Sequence, residues 1–182
     1  ADTLIPRPET ELLVELALKQ IPPERQRAIA DLGTGTGAVA IAIARERPQC
    51  TVFATDLSPE ALAVAMQNAA GLGTRNISFH AGDWFSALKG KRFAVVISNP
   101  PYIADDEWCE TDPGLAFEPR LALSGGPDGL AEIRRIVSAA PAHLESGGWL
   151  LLEHGFRQAI AVQNLLRHAG FESIATHCDL AG

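Results

Sequence analysis

The clearest chemistry in this sequence directly follows an apolar run, in the four residues Asn99, Pro100, Pro101 and Tyr102. Consecutive prolines remove two backbone N–H donors and fix φ, so the carbonyl oxygens near Asn99 and Pro100 are left without strand partners. The Asn99 side chain adds one more acceptor. We therefore predict a rigid group of acceptors that binds the NH₂ group of an amide or amine, with the Tyr102 ring facing a planar group.

A glycine-rich segment, ADLGTGTGAVA, is a second candidate for ligand binding. Gly33, Gly35 and Gly37 lie between a predicted strand and a predicted helix. Glycine permits positive φ and lets a ligand approach the backbone closely, while a helix N-terminus offers free N–H groups and partial positive charge. An anionic or strongly polar part of a ligand is expected here.

An acid at the end of the next predicted strand narrows the class of ligand. Asp56 closes the run TVFATD, about 20 residues after the glycines, where an acid accepts hydrogen bonds from the ribose of nucleotide-like cofactors. The spacing Gly33-x-Gly35-x-x-Ala38 also satisfies the dinucleotide fingerprint, so these residues indicate an adenosine-type ligand without saying which. A charge at the start of the next helix is the alternative for Asp56, because Ser58 can cap that helix unaided.

The segment GDWF supplies two further candidates after the third predicted strand. Ligands of doubly wound sheets bind beyond the carboxyl ends of the strands. Asp83 could accept a hydrogen bond from an exocyclic amine, and Trp84 could lie against a purine face. An ordinary core tryptophan is the alternative.

These candidates all lie at the ends of predicted strands in an alternating β/α order. Apolar runs rich in β-formers predict strands at residues 28–32, 51–55, 77–80, 93–98, 148–153 and 171–177. Helical spacing predicts helices at residues 9–20, 38–46, 59–70, 129–144 and 158–169. Such alternation predicts an α/β fold with a parallel sheet that is covered on both faces.

Three local features refine this outline. Ser58 is predicted to cap the third helix, with Pro59 at its first position. Pro141 is expected to kink or restart the last turn of the fourth helix. The segment 103–128 is longer than most connections, which favours a functional loop.

Composition limits the class of protein. A chain of 182 residues suits one domain, and its net charge of −7 provides no broad basic surface for nucleic acid. Cys50, Cys109 and Cys178 show no C-x-x-C spacing, so neither a disulfide framework nor a zinc site is predicted, and a reducing cytoplasm is expected. No apolar run is long enough to cross a membrane. Because the chain begins with Ala1 and contains only one methionine, Met66, we expect a piece of a longer protein.

Several motifs together resemble the class I S-adenosylmethionine (SAM) methyltransferases: DLGTGTGAVAIAIA, ATDLSPEALAVAMQNA, GDWFSAL and ISNPPYI. More narrowly, TLIPRPETELLVE, AFEPRLALSGGPDGL and GGWLLLEHG resemble the HemK/PrmC family, which methylates the glutamine of the Gly-Gly-Gln motif in peptide-chain release factors. The resemblance covers nearly the whole chain. It implies a Rossmann-like, doubly wound, mostly parallel sheet and a cytoplasmic enzyme that transfers methyl from SAM to the glutamine side-chain nitrogen, leaving S-adenosyl-L-homocysteine.

The resemblance implies roles in cofactor binding for individual residues. The methionine part of the cofactor would be lined by the loop residues Gly33, Thr34, Gly35, Thr36 and Gly37. Asp56 would hold the ribose hydroxyls, and Asp83 with Trp84 would border the adenine. Asn99 would contact the cofactor as well as the substrate.

The resemblance likewise assigns the substrate and the catalytic groups. The glutamine amide would be held by Asn99, Pro100, Pro101 and Tyr102, of which Asn99, Pro100 and Tyr102 are the predicted catalytic residues. No metal and no covalent enzyme intermediate are required, because the sulfonium is already a good leaving group. Arg7 and Glu118 lie in family-like stretches, but we assign them no chemical role; a surface ion pair is the alternative for both.

Four other functions compete with this interpretation. NPPY also occurs in adenine methyltransferases acting on nucleic acid, but the acidic insertion IADDEWCETD would repel phosphate. Glutamine methyltransferases that act on a ribosomal protein are an alternative that is harder to exclude. A NAD-dependent oxidoreductase would leave Asn-Pro-Pro-Tyr unexplained. A binding module that has lost activity would not need to retain every acceptor of the site.

The chain departs from the family in two places. Family members carry a helical domain before the arm at residues 1–8, which here leads directly into the catalytic domain at residues 9–182. The family fold also expects one further strand after CDLAG, so the last edge strand is expected to be missing. We therefore expect this chain to bind SAM but to methylate its protein partner poorly.

Overall fold

A computed structural model describes residues 8–105, 107 and 123–178. Arg7, Cys109, Glu118 and most of the acidic insertion lie outside these residues. The described residues contain five strands: β1 (Ala28–Leu32), β2 (Thr51–Asp56), β3 (Ile77–Ala81), β4 (Phe93–Ser98) and β5 (Leu144–Leu152). The same residues contain five α-helices: α1 (Pro8–Gln20), α2 (Ala38–Glu46), α3 (Pro59–Gly71), α4 (Ala131–His143) and α5 (Ala159–His168). Short 3₁₀ turns occupy Trp84–Leu88 and Phe156–Gln158.

The five strands form one parallel sheet in the order β3-β2-β1-β4-β5. Because the chain runs outward from β1 to β3 and then returns to place β4 on the other side of β1, the strand order reverses between β1 and β4. A crevice opens at such a point, beyond the carboxyl ends of the strands. Leu32 of β1 pairs with Ser98 of β4. The glycine loop (residues 33–37) and the Asn-Pro-Pro-Tyr turn (residues 99–102) therefore begin next to each other at the carboxyl end of the sheet.

Alternate residues of the central strands pack on opposite faces of the sheet. Ile29 and Val95 lie in a cluster with residues of α1 and α2. Their neighbours Ala30 and Val96 lie in a second cluster, which includes Ile136 of α4. Burial on both faces explains why these strands are continuously apolar, and it confirms the predicted α/β fold with a covered parallel sheet.

The start of α3 follows the local signals in the sequence. Ser58 Oγ accepts a hydrogen bond from Ala61 N–H at 3.1 Å, and Pro59 occupies the first helical position, as predicted. Pro141 was expected either to kink the last turn of the fourth helix or to end the helix so that it restarts. The helix does not restart, because α4 continues through Pro141 to His143. Val137 and Ala140 are buried in this turn, and their packing holds it although proline removes one backbone hydrogen bond.

The predicted strand at residues 171–177 is wrong. Within the described part of the chain, these residues form no ladder, and β5 is the last strand of the sheet on its side. Ser173 has φ 54°, a left-handed conformation that interrupts an extended backbone. Residues 171–177 instead line a cleft beside α1 and β5.

The last strand begins earlier than predicted. It starts at Leu144, directly after α4, and a register shift separates the Phe93–Leu144 pair from the Val95–Trp149 pair. Gly147, with φ 73°, lies inside that irregularity. Over the ranges that the structure describes, no helix combines the length and the apolar character needed to cross a membrane.

Candidate functional site

The glycine loop after β1 is held on one side and open on the other. Gly37 has φ 81°, and a Cβ on it would lie 3.0 Å from the Cβ of Ala65 on α3, so a larger residue would have a strained backbone and would require α3 to shift by a few tenths of an ångström. Gly35 has φ 55°, and a Cβ there would meet nothing within 4 Å. The backbone of Gly35 is therefore accessible to a ligand that approaches from the crevice.

Asp56, the last residue of β2, lies against this loop. Its Oδ2 accepts a hydrogen bond from Gly35 N–H at 2.8 Å, and its Oδ1 accepts one from Ser58 N–H at 2.9 Å. A carboxylate oxygen can accept more than one hydrogen bond, so two vicinal hydroxyls could still bind here. From α3, Asn68 Nδ2 donates to the Thr36 carbonyl at 2.9 Å and fixes the far side of the loop.

Asp31, beneath the loop, is a site residue that the sequence reasoning missed. It is only 2% exposed, and it accepts a hydrogen bond from Thr34 Oγ1 at 2.6 Å. Burial raises the pKa of Asp31 to about 6; hydrogen bonds from the Thr34 hydroxyl and the Ala40 backbone oppose this rise, and the charge of Asp56 adds to it. Its place directly before Leu32 and the first glycine was the signal that could have identified it.

Trp84 forms a wall of the crevice next to the glycine loop. A Cβ on Gly33 would lie 3.0 Å from Cζ3 of the indole, so the ring lies directly against the loop. Trp84 has φ 47°, an uncommon conformation for a bulky residue that suggests a functional constraint. Its Nε1–H donates to Glu132 Oε2 at 2.7 Å, and its half-buried side chain packs against the core cluster that contains Phe85 and Ile136.

Asp83 is tied to α4 by an ion pair. Arg135 binds the Asp83 carboxylate through Nη2, and it donates to Glu132 Oε2 at 2.7 Å through Nη1. A chain of contacts therefore runs from Asp83 through Arg135 and Glu132 to the Trp84 indole. Sequence reasoning missed the two α4 residues, since they lie about 50 positions away along the chain from their partners.

The Asn-Pro-Pro-Tyr turn leaves β4 at a fixed point. The preceding Ser98 is fully buried, and its hydroxyl donates to the Leu32 carbonyl at 2.7 Å, which ties the end of β4 to the end of β1. Asn99 is half-buried and Pro100 is buried. Among the described residues, no donor binds the Asn99 side chain or the Asn99 and Pro100 carbonyls.

Tyr102 closes this turn through contacts with the segment after β5. Its hydroxyl donates to Glu153 Oε1 at 3.3 Å, and its carbonyl accepts from Gln158 Nε2 at 2.8 Å. A Cβ on Gly155 would lie 3.6 Å from Cδ2 of the Tyr102 ring. The motif EHGFRQ thus supports the turn, although the sequence reasoning assigned no role to Gln158.

Comparison with known proteins places this geometry in a family. Residues 9–111 match the family model described as "Methyltransferase small domain". The chain belongs to this methyltransferase family. Both the glycine loop and the Asn-Pro-Pro-Tyr turn lie within the matched residues.

Curated relatives of this methyltransferase confirm the narrower resemblance seen in the motifs. A protein from Xylella fastidiosa (strain Temecula1 / ATCC 700964) is 52% identical over 178 residues, which is 98% of this chain and 65% of the relative. One from Pseudomonas aeruginosa is 50% identical over 180 residues, which is 99% of this chain and 65% of the relative. Both are named release factor glutamine methyltransferase. The chain therefore spans about 65% of the length of these relatives.

Solved structures confirm the fold of this methyltransferase. The ribosomal protein L11 methylase from Lactobacillus delbrueckii subsp. bulgaricus superimposes with a TM-score of 0.68 at 19% identity, over 94% of this chain and 74% of its own. Coclaurine N-methyltransferase, solved with N-methylheliamine and SAH, gives a TM-score of 0.54 at 16% identity, over 80% of this chain and 35% of its own. At these identities the likeness is one of fold, and it agrees with the predicted Rossmann-like class I architecture.

Proposed function

We propose that this chain is the catalytic part of an enzyme that methylates a glutamine side-chain nitrogen in the Gly-Gly-Gln motif of peptide-chain release factors, with S-adenosylmethionine as the methyl donor. The observation that carries the proposal is the position of the acceptors at Asn99 and Pro100, which leave β4 next to the glycine loop of β1. The names of the curated relatives support the choice of substrate.

The residues of the crevice fit an adenosyl cofactor. Gly35 faces open space, which admits a ligand to the backbone of the loop. Asp56 lies at the same loop with acceptor capacity for ribose hydroxyls, and Trp84 provides an aromatic wall for an adenine ring. Asp83 is already paired with Arg135, so an adenine amino group would have to share that carboxylate.

The acceptors of the turn match the chemistry of a glutamine amide. An amide nitrogen is a poor nucleophile, because its lone pair is delocalised into the carbonyl. The cofactor, when bound, supplies a methyl group on a sulfonium, which is a good leaving group. Asn99 Oδ1 and the Pro100 carbonyl oxygen each accept a hydrogen bond from one N–H group of the amide, and these two bonds fix its orientation. Their partial negative charge favours the positive charge that develops on this nitrogen. The nitrogen then loses one of its two protons to solvent, so that the product is a neutral N-methyl amide.

Tyr102 completes the amide site. Its ring is held between the Glu153 carboxylate and Gly155, so it can provide a fixed surface for the planar amide. The fixed turn holds its acceptors where the charge develops, so little reorganisation is needed during reaction.

The experiment that tests the proposal is mass spectrometry of purified release factor after incubation with this chain and S-adenosylmethionine. The expected result is one added methyl group on the glutamine of the Gly-Gly-Gln peptide. A release factor in which that glutamine is replaced by asparagine serves as the matched substrate control. Methylation of the control, or of nucleic acid in place of protein, would overturn the proposal.

A further inference from the structure

We propose that Gln158 is a positioning residue, which sets the place of the substrate-binding turn through the Tyr102 carbonyl. This inference rests on the proposed function. Both ends of the Gln158 carboxamide are used: Nε2 donates to the Tyr102 carbonyl at 2.8 Å, and Oε1 accepts from Gly155 N–H at 2.9 Å. One side chain therefore joins the end of the turn to the segment that follows β5.

Gly129 encloses the bond between Gln158 and Tyr102. A Cβ on Gly129 would lie 2.4 Å from Gln158 Nε2 and 2.4 Å from the Tyr102 carbonyl oxygen. These are far inside van der Waals contact, so only glycine fits at this position. Because Gly129 is buried, its backbone covers the bond and limits competition from water.

The turn depends on such a side-chain contact because its own backbone has few donors. Pro100 and Pro101 lack N–H groups, so neither can hold the turn to a neighbouring strand. Beyond the turn, Ile103 N–H donates to the Leu123 carbonyl at 3.0 Å, and Gly125 N–H donates to the Ile103 carbonyl at 2.8 Å. Gln158 holds the backbone of the turn itself at the Tyr102 carbonyl, two residues after Pro100.

A small displacement of this turn should affect methyl transfer strongly. Misplacement of a reacting group by about 1 Å can reduce a rate by about 10²-fold. Gln158→Leu removes both hydrogen bonds and leaves an apolar side chain of comparable volume in their place. We expect kcat/KM for the release factor to fall on the order of 10- to 100-fold, mainly through kcat, while the affinity for S-adenosylmethionine stays within about twofold.

Gln163→Leu is the matched control, because Gln163 lies in α5, which directly follows Gln158, and its Nε2 donates to Thr176 Oγ1 and not to the turn. It should leave the kinetic constants unchanged. A purely structural role of Gln158 would instead lower the thermal midpoint and the cofactor affinity together. Gln158→Glu replaces the amide donor by a carboxylate oxygen facing the Tyr102 carbonyl, and it should reproduce the loss of kcat.

A second measurement tests the position of the turn without any methylation assay. Tyr102 is the single tyrosine of the chain, so protein labelled with 3-fluorotyrosine gives one ¹⁹F resonance that reports on the turn alone. We expect Gln158→Leu and Gly129→Ala to shift or broaden this resonance, and Gln163→Leu to leave it in place. An unchanged resonance in folded Gln158→Leu protein would overturn the inference, even if the wild-type chain methylates no release factor.

Discussion

In the proposed reaction Asn99 lies between the cofactor and the substrate amide, because it directly follows β4 and lies next to the glycine loop of β1. Asn99→Ala removes the side-chain acceptor and leaves the prolines in place. We expect turnover to fall by about 10²-fold or more, as with the loss of one preorganised group that stabilises developing charge. Cofactor affinity, measured by calorimetric titration, should change much less. Near-normal methylation by the Asn99→Ala protein would contradict the assignment.

Asp31 makes the free energy of unfolding depend on pH. In the folded chain its pKa is about 6, above the ordinary value of 3.8, so the folded state holds this proton more tightly than the unfolded state does. The stabilising contribution is therefore full below pH 3.8, and it is lost as the pH rises through 6. Between pH 5 and pH 8 the change amounts to about 1.4 kcal/mol.

Asp31→Asn should remove this dependence, since an amide keeps an acceptor for Thr34 but does not titrate. We expect the difference in unfolding free energy between variant and wild type to move in favour of the variant by about 1.4 kcal/mol from pH 5 to pH 8. Urea denaturation of both proteins at both pH values measures it, and titrating groups that do not interact with Asp31 cancel in the difference. A constant difference would mean that Asp31 does not titrate in this range.

At the scale of elements, the packing of the glycine loop against α3 has a measurable consequence. Gly37→Ala places a methyl group 3.0 Å from the Ala65 Cβ at a φ of 81°. Gly73→Ala is its matched control, because Gly73 has φ 68° but open space around it. Both changes should cost about 1 kcal/mol for the left-handed backbone, and Gly37→Ala should cost about 1–3 kcal/mol more for the overpacking. If chemical denaturation shows that both variants lose the same unfolding free energy, α3 moves away from the added methyl group at no cost.

Most elements were predictable from the sequence, because parallel strands buried on both faces are continuous apolar runs and Ser58 with Pro59 is a local helix start. The strand predicted at 171–177 shows where local signals fail. Its alternating pattern is compatible with a strand, but a strand exists only when a partner pairs with it, and the left-handed Ser173 prevents this locally.

The site residues that could be predicted have local sequence signals, whereas those that could not depend on tertiary packing. Asp56, Trp84 and Asn99 lie at or shortly after the ends of strands, and the strand order alone predicts that they meet at one edge of the sheet. Glu132 and Gln158 contact the site only through tertiary folding, across 48 and 56 positions of the chain, respectively. No local pattern indicates which helix residue will face a given strand end.

At the scale of the whole molecule, the charge distinguishes the proposed substrate from nucleic acid. The chain carries a net charge of −7, and Asp105 and Glu107 follow the Asn-Pro-Pro-Tyr turn. Proteins that bind nucleic acid without sequence preference derive their affinity mainly from counterions released by Lys and Arg, with Kd values of about 10⁻⁴–10⁻⁶ M at physiological salt. A chain that is acidic beside its catalytic turn lacks this source of affinity, whereas recognition of a glutamine amide needs only the local acceptors.

We therefore expect no saturable binding of duplex or single-stranded DNA at 0.15 M salt. Lowering the salt concentration should increase the affinity for DNA only weakly. Reduced screening strengthens the repulsion between DNA and the negative surface together with any attraction. Fluorescence anisotropy of labelled DNA across a salt series measures this directly. An excess of the same DNA should not inhibit methylation of the release factor, since the two would not compete for the turn. DNA binding that strengthens steeply with decreasing salt, together with inhibition, would place a phosphate backbone at the crevice and favour an adenine in the site that we assign to glutamine.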